Sequence, residues 1–286
     1  MMHPASSHGE HGEVHTQGLR VQGARSMRLP WRFDAAAALD EARQLPADLW
    51  RTHFNQGRHD GGWQALALTV APNAPIDVMP MDAAPQSYVA ADALGQCPAI
   101  QSILRTMALP FQSVRLMRLL PGSEIMEHTD AGVCAANGEA RLHIPLQTDE
   151  QVFFHIAGER LPMRAGECWY TDVSLPHRVR NRSEQARIHL VMDALVDEQL
   201  AQAFVAGDGG QPMDASRDPW TEFQRFRAAV FDNTVWAESL MECTDLASLQ
   251  LRSLDLGKTH GFAFETSDVE SAMRAGRNAW TQQWVL

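Results

Sequence analysis

No apolar run in this chain approaches the roughly 18 to 20 residues that a membrane-crossing helix needs, and its first residues lack a basic start followed by an apolar segment. A membrane partner is not expected, and the cytoplasm is the expected compartment. Positive charge is also short: 24 Lys and Arg stand against 35 Asp and Glu, a formal net charge of -11. That balance argues against a nucleic-acid partner, because counterion release needs a concentrated basic surface. Cysteine is sparse, with Cys97, Cys134, Cys168 and Cys243 widely spaced and no C-x-x-C pair, so free thiols are expected rather than staples or a thiolate metal site. What is present is an ordinary globular composition: 286 residues, 45% hydrophobic and 21% charged, enough for one large core plus a small appendage.

Residues 1–25 are polar and glycine-bearing, with His3, His8, His11 and His15 scattered without period, and read as a disordered tail. Residues 26–207 read as the main domain. An edge strand and a helix fill 27–50, with Phe33, Leu39 and Leu45 as core contacts; alternation marks a strand over 63–70, and a helix over 100–107 is ended by Pro110. Further strands are expected over 114–120, 141–147, 151–156, 167–172 and 187–195, separated by turn chemistry at Asn137-Gly138, Ala157-Gly158 and Ala165-Gly166. Short strands without helical crossovers predict a mainly β fold, a double-stranded β-helix (jelly roll) with flanking helices. Residues 208–286 are expected to form a small helical domain after a helix over 198–205 and a linker over 207–212. Its helices fall over 220–236, where Phe223, Phe226, Val230 and Phe231 share a face, over 245–253, and over 267–280, where Ser267 is the expected N-cap with Glu270 three positions on.

Four residues carry the chemistry. On an extended segment His128 and Asp130 point to one side, because strand side chains alternate with period two. His177 follows Pro176 on a later segment, and a jelly roll brings such distant strands to a common lumen. Two imidazoles and a carboxylate on one face leave the remaining positions of an octahedron open, the set used by non-haem Fe(II) oxygenases. Arg187, ten positions beyond His177, is placed to pair bidentately with the far carboxylate of a chelating 2-oxo acid. His189 is in phase with Arg187, and His143 with Arg141, so these histidines are expected near the co-substrate or a substrate acid. A structural zinc site satisfies the same three ligands, Arg187 also fits a surface ion pair, and His189 fits a hydrogen-bonded core histidine.

The order of motifs resembles a known family. His-Phe-Asn at His53 to Asn55, Gly62-Trp63, Arg-Leu-x-Pro-Gly from Arg118, His-x-Asp at His128, Arg-Leu-His-Ile-Pro from Arg141, Gly-Glu-Cys-Trp-Tyr from Gly166, Leu-Pro-His-Arg-Val from Leu175 and Arg-Ile-His-Leu-Val from Arg187 together resemble the aspartyl/asparaginyl beta-hydroxylase family of Fe(II)- and 2-oxoglutarate-dependent dioxygenases, especially its bacterial L-proline cis-hydroxylases. The resemblance implies His128, Asp130 and His177 as iron ligands, and Arg187, with His143, Arg115 and His189, around 2-oxoglutarate. It implies Arg141, helped by Arg115, as a holder of a substrate carboxylate, with His53, Asn55 and Trp63 shaping the substrate mouth. The run Arg-His-Asp-Gly-Gly-Trp from Arg58 departs from the Tyr-Glu-type pair of many proline hydroxylases, which leaves the substrate pocket open. Residues 223–276 resemble a Nif11-type leader-peptide domain of natural-product precursors; a plain helical cap over the barrel is the other reading.

The expected function is hydroxylation of an unactivated C–H bond in an amino acid, proline-like or otherwise, free or acylated, or in an amino-acid residue of a peptide, with Fe(II), 2-oxoglutarate and O2. A homodimer is a further expectation. The alternatives are a cupin-like module whose metal is structural, and a metal-dependent isomerase or hydrolase working without oxygen.

Overall fold

The computed structural model describes residues 25–81, 83–130, 132–210 and 218–282, with side chains to residue 274. The expected N-terminal tail lies outside the described residues, apart from Arg25. In chain order the first elements are strand β1 (Ser26–Arg32), helix α1 (Ala35–Gln44), β2 (Arg51–Thr52), β3 (Trp63–Ala67), β4 (Thr69–Val70), β5 (Val89–Ala90), α2 (Asp92–Gly95) and α3 (Pro98–Met107). The barrel strands follow: β6 (Phe111–Leu119), β7 (Glu124–His128), β8 (Glu139–Gln147), β9 (Val152–Ile156), β10 (Glu159–Arg160), β11 (Glu167–Thr171), β12 (His177–Asn181) and β13 (Arg187–Leu195). The chain ends in α4 (Glu198–Val205), α5 (Pro219–Phe231), α6 (Thr234–Met241), α7 (Leu246–Thr259) and α8 (Thr266–Gln282).

A seven-stranded sheet in the order β1-β11-β8-β13-β6-β3-β2 faces a four-stranded sheet in the order β10-β9-β12-β7, every pairing antiparallel. This is the expected double-stranded β-helix with helices after the core. Period-two alternation splits the large sheet into two faces. On β13, Ile188, Leu190, Met192 and Ala194 join a core with Ala38 and Ala42 of α1, Ile100, Ile103 and Met107 of α3 and Leu200 and Phe204 of α4. The other face, with Trp63, Ala65, Met117 and Val191, packs on Ile125, Phe154, Ile156 and Val179 of the small sheet. Each fully buried aliphatic side chain contributes about 1.5 to 3 kcal/mol, and a one-residue slip would turn Arg187, His189 and Asp193 into the helix-covered core. The register of β13 is therefore fixed by its apolar half, and that fixes where its polar half points.

Local chemistry shapes the turns. Gly166 has φ +79°, and a Cβ there would stand 2.3 Å from the Phe33 carbonyl oxygen, so only glycine lets β11 run beside β1. The expected strand over 63–70 is broken at Leu68, whose N–H donates to the Val114 oxygen and whose oxygen accepts from Ala91 N–H. Helix α3 stops at Ala108, in the left-handed region at φ 48°, two residues before the proline expected to end it. The cysteines are free thiols, as expected.

The helical segment packs α5 and α8 on the outer face of the small sheet. Arg178 of β12 lies 3.8 Å from the Trp220 ring centroid and 3.3 Å from a Glu124 oxygen, which also accepts from Ser271 Oγ at 2.8 Å. His155 Nε2 meets Asp218 Oδ2 at 2.5 Å, both side chains buried. The segment has its own core of Trp220, Phe223, Phe226, Phe264 and Val269. Three expectations fail here. The helix over 220–236 is two helices, broken at Asp232-Asn233 because Asn233 caps α6 by accepting from Trp236 N–H. Phe231, expected on the buried face, is exposed. Ser267 is not the cap of α8: it lies inside the helix and its Oγ accepts from Arg180, while Asp268 reaches back to Glu265 N–H.

Candidate active site

The metal ligands sit where two strands of the small sheet meet. β12 pairs with β7 so that His177 lies directly opposite His128, with ring centroids 4.2 Å apart. Strand β7 ends at His128, so Asp130 arrives from a loop and not from the same extended strand; its N–H is fixed by the Val173 carbonyl at 2.8 Å. The Asp130 Oδ1 to His128 Nε2 distance is 3.6 Å, and the donor atoms of His128, Asp130 and His177 all lie within 4.8 Å of one another. Tautomers follow from the partners. His128 Nδ1 faces the Met126 carbonyl at 2.8 Å and His177 Nδ1 the Leu175 carbonyl at 3.0 Å; a carbonyl only accepts, so both protons are on Nδ1 and both Nε2 lone pairs are free. His128 Nε2 is buried and has no hydrogen-bond partner among the described residues.

Charge states match what a metal requires. Burial pulls the His128 imidazolium below its usual range, and burial plus the neighbouring His128 takes His177 down to about 4, so both rings are neutral at neutral pH. Burial pushes the Asp130 carboxyl up, but the Arg141 guanidinium, with the two imidazoles, more than offsets it and keeps the group ionised. An orphaned imidazole lone pair facing a carboxylate and a second imidazole fits a first-row divalent metal.

Above this centre lies a cavity of about 430 Å³, of small-molecule size, lined by all three ligands. Arg187 enters its wall from β13. The guanidinium is buried, no described carboxylate pairs with it, and burial alone takes it down to about 9. Its NH2 group donates to His189 Nδ1 at 2.9 Å, and its Nε has no partner. Arginine only donates, so His189 Nδ1 is an acceptor and His189 carries its proton on Nε2. His189 does not line the cavity and reaches it only through Arg187, to which this hydrogen bond ties it. His143 does line the cavity, with Nδ1 3.4 Å from His189 Nδ1, and burial holds it neutral.

The other expected residues divide. His53, Asn55 and Trp63 line the cavity; His53 stacks on Trp63 at 3.4 Å between centroids, and burial lowers it to about 2. Asn55 N–H donates to His53 Nδ1 at 3.3 Å. Arg115 and Arg141 also line it, yet neither is an open guanidinium. Arg141 binds Asp130 Oδ2 at 2.5 Å and Asp193 at 2.7 and 3.1 Å, and Arg115 binds Asp193 at 2.6 Å. Arg141 is thus first a partner of the metal ligand, and a substrate acid can use only the N–H groups these carboxylates leave. Sequence reasoning missed Asp193, although it stands in phase with Arg187 and His189 on β13. It also missed His59, which donates from Nε2 to the His53 carbonyl at 3.2 Å, and Phe154, whose ring lies under Arg187 at 5.6 Å.

The sequence model of a family described as Aspartyl/Asparaginyl beta-hydroxylase matches residues 33–196. Among curated proteins none matches. Among solved structures, an oxidoreductase of the 2OG-Fe(II) oxygenase family from Burkholderia pseudomallei is 16% identical, covering 61% of this chain and 86% of its own at a TM-score of 0.39. A prolyl-4-hydroxylase from Pseudomonas putida is 14% identical, covering 62% of this chain and 96% of its own, also at 0.39. The alpha-ketoglutarate-dependent epimerase SnoN from nogalamycin biosynthesis is 12% identical, with 62% and 78% covered and a TM-score of 0.40.

Proposed function

The chain belongs to the aspartyl/asparaginyl beta-hydroxylase family, and from that premise we propose that it hydroxylates an unactivated C–H bond of an amino acid or of an amino-acid residue in a peptide. It is an Fe(II)- and 2-oxoglutarate-dependent oxygenase with the facial triad His128, Asp130 and His177. The observation that carries the 2-oxoglutarate part of this reading is Arg187: a buried guanidinium with no carboxylate partner among the described residues, opening on the cavity that holds the triad. A buried charge without a partner is costly, and a dicarboxylate co-substrate supplies the missing one.

When bound, Fe(II) with the 2-oxo acid supplies the oxidising power for the C–H bond, O2 being consumed and the co-substrate leaving as succinate and carbon dioxide. The protein's own part is placement. His128 and His177 present Nε2 lone pairs, their rings locked by backbone carbonyls, and Asp130 presents Oδ1 while Arg141 holds Oδ2. Arg187, steadied by His189, grips the distal carboxylate. Trp63, Phe154 and Ile125 wall the cavity and exclude water, and the His53 to Trp63 stack stiffens its mouth. The motif order favours a proline-like substrate; the likeness of residues 223–276 to leader-peptide domains favours a peptide.

The test is aerobic incubation with Fe(II) and 2-oxoglutarate against free amino acids and short peptides, read by mass spectrometry. The expected result is one added oxygen atom in one panel member, with matching succinate, and no product from His128→Ala. Metal uptake without 2-oxoglutarate turnover would favour a structural metal in a binding module.

A further inference from the structure

Four charges run in series beside the metal ligands. Asp130 is bound by Arg141, Arg141 by Asp193, and Asp193 by Arg115, at 2.5 to 3.1 Å throughout. Arg115, Arg141 and Asp193 are buried. The register builds this row: Asp193 is the direct cross-strand partner of Arg141 on β8, while Arg115 on β6 pairs with Val191, two positions along β13. Asp193 itself is not on the cavity wall, whereas both arginines are. Its carboxylate reaches the cavity only by way of the two arginines that bind it.

Two guanidinium groups and two carboxylates sum to zero. Without the Asp193 charge the row carries one net positive charge in direct contact with a ligand of a divalent cation. In a buried site of low effective dielectric such a charge opposes the cation far more than on the surface. Asp193 also takes Arg141 through Nε and NH2, which fixes the plane of the guanidinium and leaves NH1 aimed at Asp130 Oδ2, so that Oδ1 turns toward His128 and His177.

We propose that Asp193 is a positioning residue of the metal centre, acting through Arg141 to orient Asp130 and to cancel the arginine charge that would otherwise repel the metal. The proposal rests on the metal reading above, and its test separates the two. Mn(II), which does not turn over with oxygen, is the probe, titrated into the metal-free full chain by calorimetry, with thermal unfolding recorded for each variant.

Asp193→Asn is expected to weaken Mn(II) binding about 10- to 100-fold, the usual loss when a partner of a metal ligand is changed. Arg115→Gln removes one positive charge from the row and is expected to tighten Mn(II). The double variant restores the sum of charges and is expected to recover most of the loss. A role in packing alone would give the opposite, since a second lesion in the same buried row deepens the first. An Asp193→Asn protein with wild-type Mn(II) affinity overturns the proposal, as does a double variant weaker than Asp193→Asn. Should Asp193→Asn not fold, Arg115→Gln alone decides, and unchanged or weaker Mn(II) binding there also overturns it. Wild-type protein that takes up no Mn(II) would count against the metal reading itself; wild-type uptake with unresponsive variants counts against Asp193 alone.

Discussion

Arg187 and Arg141 are both buried on the inner face of the same sheet, and their electrostatic situations are opposite. Arg141 is held by two carboxylates, whose charge outweighs its burial and pushes the guanidinium above its usual range. Among the described residues Arg187 meets no carboxylate, only an imidazole and an aromatic face, and burial draws it down to about 9. A paired buried charge belongs to the scaffold. An unpaired one facing a cavity marks where a ligand of opposite sign is to come.

Neutralising each arginine sharpens that contrast. Arg187→Met is expected to weaken 2-oxoglutarate binding about a thousandfold, within the roughly 2 to 5 kcal/mol of a buried charge pair, while leaving stability to denaturant equal or higher because no carboxylate is stranded. Arg141→Met strands Asp130 and leaves Asp193 to Arg115 alone, and is expected to cost about 3 to 5 kcal/mol in the same unfolding measurement. Equal stability losses in the two variants would erase the distinction.

Outside the cavity, Trp220→Ala removes the ring under Arg178 and part of the helical segment's core. A loss of about 3 kcal/mol or more in unfolding is expected, with 2-oxoglutarate affinity of the folded protein little changed because Arg187 lies on the other sheet.

A change of pH acts by smaller increments. His53 and His177 are neutral in the fold, with values of about 2 and about 4 against 6.5 for the free side chain. Below 6.5 the unfolded chain binds protons that these folded rings refuse, so metal-free stability is complete above 6.5 and falls as pH drops toward 4, each group adding a limiting slope of about 1.4 kcal/mol per pH unit. Urea midpoints that stay level between pH 7 and 4 would contradict these buried neutral rings.

The sequence was most legible where one physical signal acted alone. Strand β13 has its expected bounds, because its even positions are all apolar while Arg187, His189 and Asp193 place polar groups at odd ones. The two strands that carry the metal imidazoles, β7 and β12, are not among the expected strands. Their outward residues, Glu124, Arg178 and Arg180, are charged, which reads as loop until the helical segment is seen to cover that face. The triad was legible as residue types, but the reason Asp130 joins it was not, since a loop held by Val173 delivers it where strand alternation was expected to. Asp193 was hidden by the opposite cause: it is one carboxylate in a strand, and only the three-strand register brings two arginines to it.

The most direct measurement is an anaerobic titration of 2-oxoglutarate into Fe(II)-loaded protein, followed through the visible charge-transfer absorption of the chelate. The expected result is saturable one-to-one binding in wild type, none in His128→Ala, and a large loss of affinity in Arg187→Met. Wild-type protein that holds Fe(II) without taking up 2-oxoglutarate, or an Arg187→Met protein that binds it as tightly as wild type, would contradict the pairing of triad and guanidinium on which the function rests.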